Sequence, residues 1–464
     1  MISSLHPSRF TNPATTLGLG VIFAALALWS YTFANTFPAA YHPDEPSKAR
    51  QVIAGEYNFH HPMLMLSAAR IAVAVTGAGD DLQRVTQAGR WVSASFTAAA
   101  VFCLVVMTAH VYGFLAGFFA GAFLVTNHHL FELAHYFKED PALLLGVSAF
   151  FLALALFDER PTPLRATFLG IGVGLAISGK YVGVLVTPVA LAAIVLHRRR
   201  LRPFLALAIV LGAALVTFAL ANLPIVLNPA GFAGGFEREL DFAVHGHKGI
   251  TRAIPHGVYG AVFRESTNPI IWILLIIFAL ALLARWRTAR PFEWMLAIFP
   301  LAFAVILSFS PKTHHRYFLP ATGLLLSMAG VAVWILIHYG IRHQPRRVQI
   351  ATTLVLTTLL VVAAAIQIPH TRDYFDGFSN DGRSQLAAYI RANIPPDSII
   401  IADKRTSLRE LDLPNPIEGK LFAADVGTLA ELRARGITTI AVAEGDYGRF
   451  FRGRLKPTQK GADE

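Results

Sequence analysis

The sequence predicts an all-α polytopic membrane bundle of about eleven transmembrane helices with a small C-terminal α/β extracytoplasmic domain. Two observations carry this expectation. The 464-residue chain is 54% hydrophobic and only 15% charged, whereas a soluble domain carries about 25% charged residues. Its apolar residues also gather into runs near the roughly 20 residues that cross a bilayer as a helix.

The runs lie at 15–36, 91–111, 113–134, 141–157, 164–179, 181–196, 203–223, 269–285, 291–309, 317–340 and 348–368. The first exceeds the roughly 7–15 residues of a signal-peptide core, so it reads as an uncleaved span. Segment 62–78 is apolar but short, with Arg70 in its middle. It reads as an interfacial helix lying on the membrane. With that segment outside the hydrocarbon, three arginine clusters share one side: Arg198 to Arg202, Arg285 to Arg290, and Arg342 to Arg347. Positive loops face the cytoplasm, so the N-terminus is expected inside and the C-terminus outside.

The outer side then receives 37–90, the turn near 135–141, 224–268, 310–316 and the tail. This divides the chain into a membrane domain, 1–368, and an extracytoplasmic domain, 369–464. In the tail, Gly382 to Asn393 reads as a helix stopped by Pro395 and Pro396, and Ser398 to Ala402 as a buried strand. Val426 to Arg435 and Thr438 to Ala443 repeat the pattern of helix then strand.

Composition also excludes some functions. Cys103 is the only cysteine, so there is no intramolecular disulfide and no cysteine-based zinc site. The net charge of +11 resides in loop arginines. With no basic domain and no base-reading motif, nucleic acid is not an expected partner.

The unusual polar residues fall on the outer side. Tyr41-His42-Pro43-Asp44-Glu45-Pro46 follows the first span, with prolines bracketing an acidic pair in a rigid turn. Carboxylates beside hydrocarbon have raised pKa values suited to proton transfer, though a solvated turn also fits the pattern. Asn58 to Pro62 holds His60 and His61, suited to a phosphate, a metal or an interfacial position. His135 to Pro141 carries Lys138, Glu139 and Asp140, either functional charges or a helix start at Pro141. Lys180 and Tyr181 mark a junction of two runs, where the lysine either snorkels or meets an anion. Ser310 to Tyr317 holds Lys312, His314, His315 and Arg316, on the side where basic residues should be scarce. A phosphate accounts for them: arginine offers a planar fork and lysine a point charge. His245, His247, Lys248, Arg252, His256 and Arg264 extend the basic outer surface.

In these motifs and their order the chain resembles the GT-C fold glycosyltransferases of the family 39/83 type, which include protein O-mannosyltransferases and aminoarabinose transferase. The matching segments are His42 to Glu45, Phe59 to Pro62, His135 to Pro141, Gly174 to Gly183 and Ser310 to Pro320. Phe137-Lys138-Glu139-Asp140 departs from the Ala-Arg-x-Asp of many relatives. The resemblance implies transfer of a sugar from a polyprenyl-phosphate donor to a glycan, lipid or protein acceptor, with inversion, at the outer face of a bacterial inner membrane. It implies Asp44 as general base, Glu45 as its assistant and Asp140 as a second carboxylate. Lys312, His315 and Arg316 would hold the lipid phosphate, with Lys138 and Lys180 in the same work. His61, Tyr181 and Tyr317 would line the substrate. Some members use a divalent metal ion, to which His60 and Glu45 could contribute. The competing readings are a transporter or flippase of a lipid-linked sugar, an O-antigen ligase or polymerase, and a scaffold. A transporter would place its charges near the midplane and repeat its halves, and neither feature is visible.

Overall fold

The computed structural model describes residues 12–39, 41–246, 266–310, 314–341, 344–411, 413–420 and 422–451. The expected residue Lys312 lies outside this set, as do His247, Lys248, Arg252, His256 and Arg264.

The apolar runs are helices: α1 (Pro13–Thr32), α4 (Leu82–Tyr112), α5 (Phe114–Thr126), α6 (His128–Ala134), α7 (Asp140–Glu159), α8 (Pro163–Gly179), α9 (Thr187–Leu196) and α10 (Pro203–Ala221). Two amphipathic helices, α2 (Glu45–Ala54) and α3 (Leu64–Thr76), follow the first span. Short α11 (Leu223–Leu227) leads into α12 (Pro229–His245). Then come α13 (Pro269–Ala284), α14 (Pro291–Ser308), α15 (Leu319–Ile335), α16 (Arg346–Ala365), α17 (Gln367–Ser379) and α18 (Gly382–Asn393). Among the described residues six helices are long and apolar enough to cross a membrane, or seven if the bent pair α5–α6 is one span. The expected runs at 164–179, 181–196 and 269–285 are helical but shorter. At 13 residues α3 is about 20 Å long, too short for the ~30 Å of hydrocarbon.

The helix starts follow local chemistry. Asp81 caps α4 by accepting from Arg84 N, and Thr162 with Pro163 opens α8. Asn127 accepts from the N–H groups of His129 and Leu130, restarting the helix after a 59° bend. That bend turns α6 out of line with α5.

α15 runs through the centre, and every residue from Leu319 to Ile335 is buried. It packs against α4, α5, α7, α13 and α14. By contrast, α10 leaves Phe204, Leu215 and Leu220 exposed, a face suited to lipid. The first turn of α7 meets the last turn of α8 closely: a Cβ on Gly179 would sit 2.5 Å from Leu143 N. Buried Asn222 ties α3 to α8, accepting from Met63 N and donating to Ser178 Oγ.

Near the C-terminus lies a parallel three-stranded sheet of order β2-β1-β3, made of β1 (Ile400–Ala402), β2 (Ile417–Glu418) and β3 (Thr439–Ala441). β2 has two residues, too few to show a sequence period, and it was not expected from the sequence. Helix α19 (Leu429–Ala434), opened by the Thr428–Glu431 capping box, precedes β3.

One ion pair fixes α2 over α4. Glu45 and Arg90 are both fully buried, joined by Arg90 Nε to Oε1 at 2.9 Å and Nη2 to Oε2 at 2.7 Å. Arg90 also donates to the carbonyls of Phe37 and Pro38, while Glu45 accepts from Phe137 N. Removing one partner strands a buried charge, at a cost of about 3–5 kcal/mol. Arg90→Met should lower thermal stability in detergent by that order, and adding Glu45→Gln should recover part of it. A single variant as stable as the parent would show that this pair does not hold α2.

Candidate active site

Four segments converge at one end of the bundle: the 42–48 turn, the link between α6 and α7, the end of α8 and the 3-10 turn His315–Phe318 that opens α15. Each brings a charge for a local reason. Pro43 and Pro46 flank Asp44, and its N–H donates to His42 Nδ1 at 3.2 Å, which keeps the turn closed. Asp140 and Pro141 start α7. Lys180 is extended, φ −161°, and so leaves the helix axis.

Asp44 Oδ2 pairs with Lys138 Nζ and lies 3.6 Å from Arg316 Nη1. Asp140 Oδ1 accepts from Lys180 Nζ at 2.7 Å. Its Oδ2 faces Arg316 Nε at 3.8 Å, and both atoms are buried without a hydrogen bond. Arg316 thus bridges the two carboxylates. Lys180 and Arg316 also lie over the Tyr317 ring, 4.2 and 5.5 Å from its centre. A cavity of about 300 Å³ opens here, lined by Asp44, Lys48, His61, Lys138, Glu239 and Arg316 among others.

The charges shape one another. Lys138 beside Asp44 holds its carboxyl well below the usual carboxylate range. Burial, then Arg316, pushes Lys138 down to about 8. Burial likewise holds Lys48, His42 and His314 well below their ordinary values.

Of the residues singled out in the sequence, Asp44, Lys138, Asp140, Lys180, Arg316 and Tyr317 come together, with His61 on the cavity wall. Three sit differently. Glu45, expected to assist the base, has both oxygens committed to Arg90 and Phe137 N, so it anchors the turn and offers no metal ligand. Tyr181 donates to Phe59 O at 3.0 Å and packs edge-on against Phe236. His315 turns toward Glu132, Nε2 to Oε2 at 3.6 Å, and not toward Asp44.

Lys48 was missed. It pairs with Glu139 at the cavity edge. Its signal was its place one helical turn after Asp44, which puts the two on one face. Arg90 was also missed, although an arginine abutting an apolar run needs a partner.

Residues 60–222 match the family described as dolichyl-phosphate-mannose-protein mannosyltransferase. No curated protein sequence matches the chain significantly. ArnT from Cupriavidus metallidurans bound to undecaprenyl phosphate has a similar structure, with TM-score 0.58 at 17% identity over 91% of this chain and 90% of that one. Apo ArnT from the same organism gives 0.58 at 15% identity over 94% and 91%. The Archaeoglobus fulgidus oligosaccharyltransferase gives 0.50 at 12% identity over 95% and 62%.

The lowered lysine makes a pH prediction. Lys138 releases its proton at about 8 in the folded chain, against roughly 10.4 unfolded. Between those values the unfolded chain binds more protons. The penalty for burying this charge is therefore full below about 8 and relieved as pH rises toward 10. The melting temperature of the parent should gain on that of Lys138→Met across this interval; a constant difference would refute the shift.

Proposed function

We propose that this chain, a multi-pass membrane protein with the GT-C glycosyltransferase fold, moves a sugar from a polyprenyl-phosphate donor to an acceptor hydroxyl. Asp44 is the general base, and Lys138 and Arg316 hold the donor phosphate. The active face is non-cytoplasmic, a placement that the arginine-rich loops support. The observation that carries this reading is the shared cavity, in which a carboxylate and two cations from distant segments meet at the bundle end.

In the reaction the base takes the acceptor hydroxyl proton as its oxygen attacks the anomeric carbon. The bond from that carbon to the phosphate oxygen breaks, and polyprenyl phosphate leaves with one more negative charge. A single displacement inverts the anomeric centre. The cations favour the departing phosphate because its charge grows in the transition state. Asp140 and Lys180 support Arg316 from below.

The ion pairing gives the donor a second role. With Lys138 against it, Asp44 is ionised but a weak base. A phosphate that draws Lys138 and Arg316 to itself leaves the carboxylate without cations, and its pKa climbs toward the range useful for catalysis. The charges lie at one end of the bundle and not at mid-depth, which favours chemistry over transport. The matched family and ArnT support the donor class; the sugar and acceptor stay general.

Asp44→Asn should lower transfer by about 10²–10⁴-fold. It should bind polyprenyl phosphate at least as tightly as the parent, since a competing carboxylate is gone. Transfer at the parental rate would remove Asp44 from its role. Arg316→Ala should weaken donor binding by about ten- to a hundredfold, the worth of a charged hydrogen bond at ~1.5–3 kcal/mol. Unchanged affinity would move the phosphate elsewhere. Both are read by titration and single-turnover transfer in detergent or nanodiscs.

A further inference from the structure

Beside the cavity, on the far side of the His315–Phe318 turn, is a second cluster that the proposed chemistry does not use. Among the described residues, His129, Glu132 and His315 are the group whose ligand atoms, one from each, all lie within 4.8 Å of one another. Glu132 Oε2 is 3.6 Å from His315 Nε2 and 4.0 Å from His129 Nδ1. The rings of His129 and His315 have centres 5.3 Å apart.

Several features mark this as more than a chance grouping of polar residues. His129 is only 2% exposed, and its Nε2 is buried without a hydrogen-bond partner. The nitrogen of this ring that faces Glu132 is the other one, Nδ1. The cluster joins segments far apart in sequence, α6 and the turn before α15. His129 and Glu132 are three apart on α6, which puts them on one helical face. Glu132 is held from outside by Tyr374 of α17, whose hydroxyl donates to Oε2 at 2.8 Å. A carboxylate oriented by an outer hydrogen bond is the usual support of a metal ligand.

We propose that His129, Glu132 and His315 bind one zinc-type divalent transition-metal ion. Two imidazoles and a carboxylate suit such an ion and suit calcium or magnesium poorly, since those take oxygen ligands. With bonds of ~2.0–2.1 Å, tetrahedral ligands stand about 3.3 Å apart. With His129 binding through Nδ1, the 3.6 and 4.0 Å separations, within a group spread over no more than 4.8 Å, close to that by side-chain rotation. Three protein ligands leave a fourth position for water. The ion ties the turn that begins at His315 to α6. Arg316 is the next residue, so the ion also fixes the backbone that presents its guanidinium.

The test uses the full-length chain in detergent, freed of any polyhistidine tag and stripped with a chelator. Zn²⁺ or Co²⁺ is added back and the bound metal is measured after desalting. About one ion per chain is expected, with Co²⁺ giving the visible bands of a low-coordinate nitrogen and oxygen site and Zn²⁺ raising the melting temperature. His129→Ala and Glu132→Gln should each abolish the stoichiometric ion, the Co²⁺ bands and the thermal shift. Tyr374→Phe leaves all three ligands in place and should weaken affinity about ten- to a hundredfold. It also decides the matter if a ligand variant does not fold. Absence of metal in the parent, or unchanged binding in these variants, overturns the proposal. None of these readouts depends on glycosyl transfer, so the metal site and the proposed reaction stand or fall separately.

Discussion

Neutralisation of charge beside an apolar bundle is the constraint on which the rest of the structure depends. The segments around Asp44 and Lys138 cross-pair: the acid of the first meets the base of the second, and Lys48 of the first meets Glu139 of the second. Glu45 turns back to Arg90 and Asp140 to Lys180. Four carboxylates are thereby matched by four cations, each pair joining different parts of the chain. A charge left alone in such surroundings would cost several kcal/mol. The pairing therefore penalises any displacement of α2, α4, α7 and α8 that would separate the partners.

Within this frame one residue is set apart. Arg316 reaches both Asp44 and Asp140 at 3.6–3.8 Å, longer than the tight pairs around it. Its Nε and the facing Asp140 Oδ2 have no hydrogen bond. A network that is saturated everywhere except around one guanidinium is rigid except where an incoming anion has something to gain. Beneath it, α15 is buried along its whole length, so the turn at its head is presented from a helix packed on all sides.

The sequence made the membrane class and the site's main charges legible for one physical reason. Ionisable groups next to apolar runs are expensive and stand out in a chain with so few of them. That is why Asp44, Lys138, Asp140, Lys180 and Arg316 could be picked out by position alone. Their division into roles was not legible. Asp44 and Glu45 are neighbours of like charge, yet one lines the cavity and the other is sealed under Arg90. Which is which depends on partners 94 and 45 residues away. The same distance hid the His129–Glu132–His315 cluster, because α6 had read as the end of an ordinary span. Asn127 breaks that span and turns the last two turns of helix 59° from the helix before it.

The cross-pairing also bears on biogenesis. A nascent chain emerges N-terminus first, so the two acids of the turn after α1 are made before the cations that pair with them. Arg90 follows Glu45 by 45 residues, whereas Lys138 follows Asp44 by 94. Asp140 in turn precedes Lys180 by 40. The anchoring carboxylate is thus satisfied during synthesis of the second long helix, while Asp44 stays uncompensated until α7 begins. Arg316 follows Asp140 by 176 residues and is made just before α15, the helix whose head it occupies. Ribosomal order is therefore also the order in which these four carboxylates meet their cations, and Arg316, which reaches Asp44 and Asp140, is the last of those cations to be made.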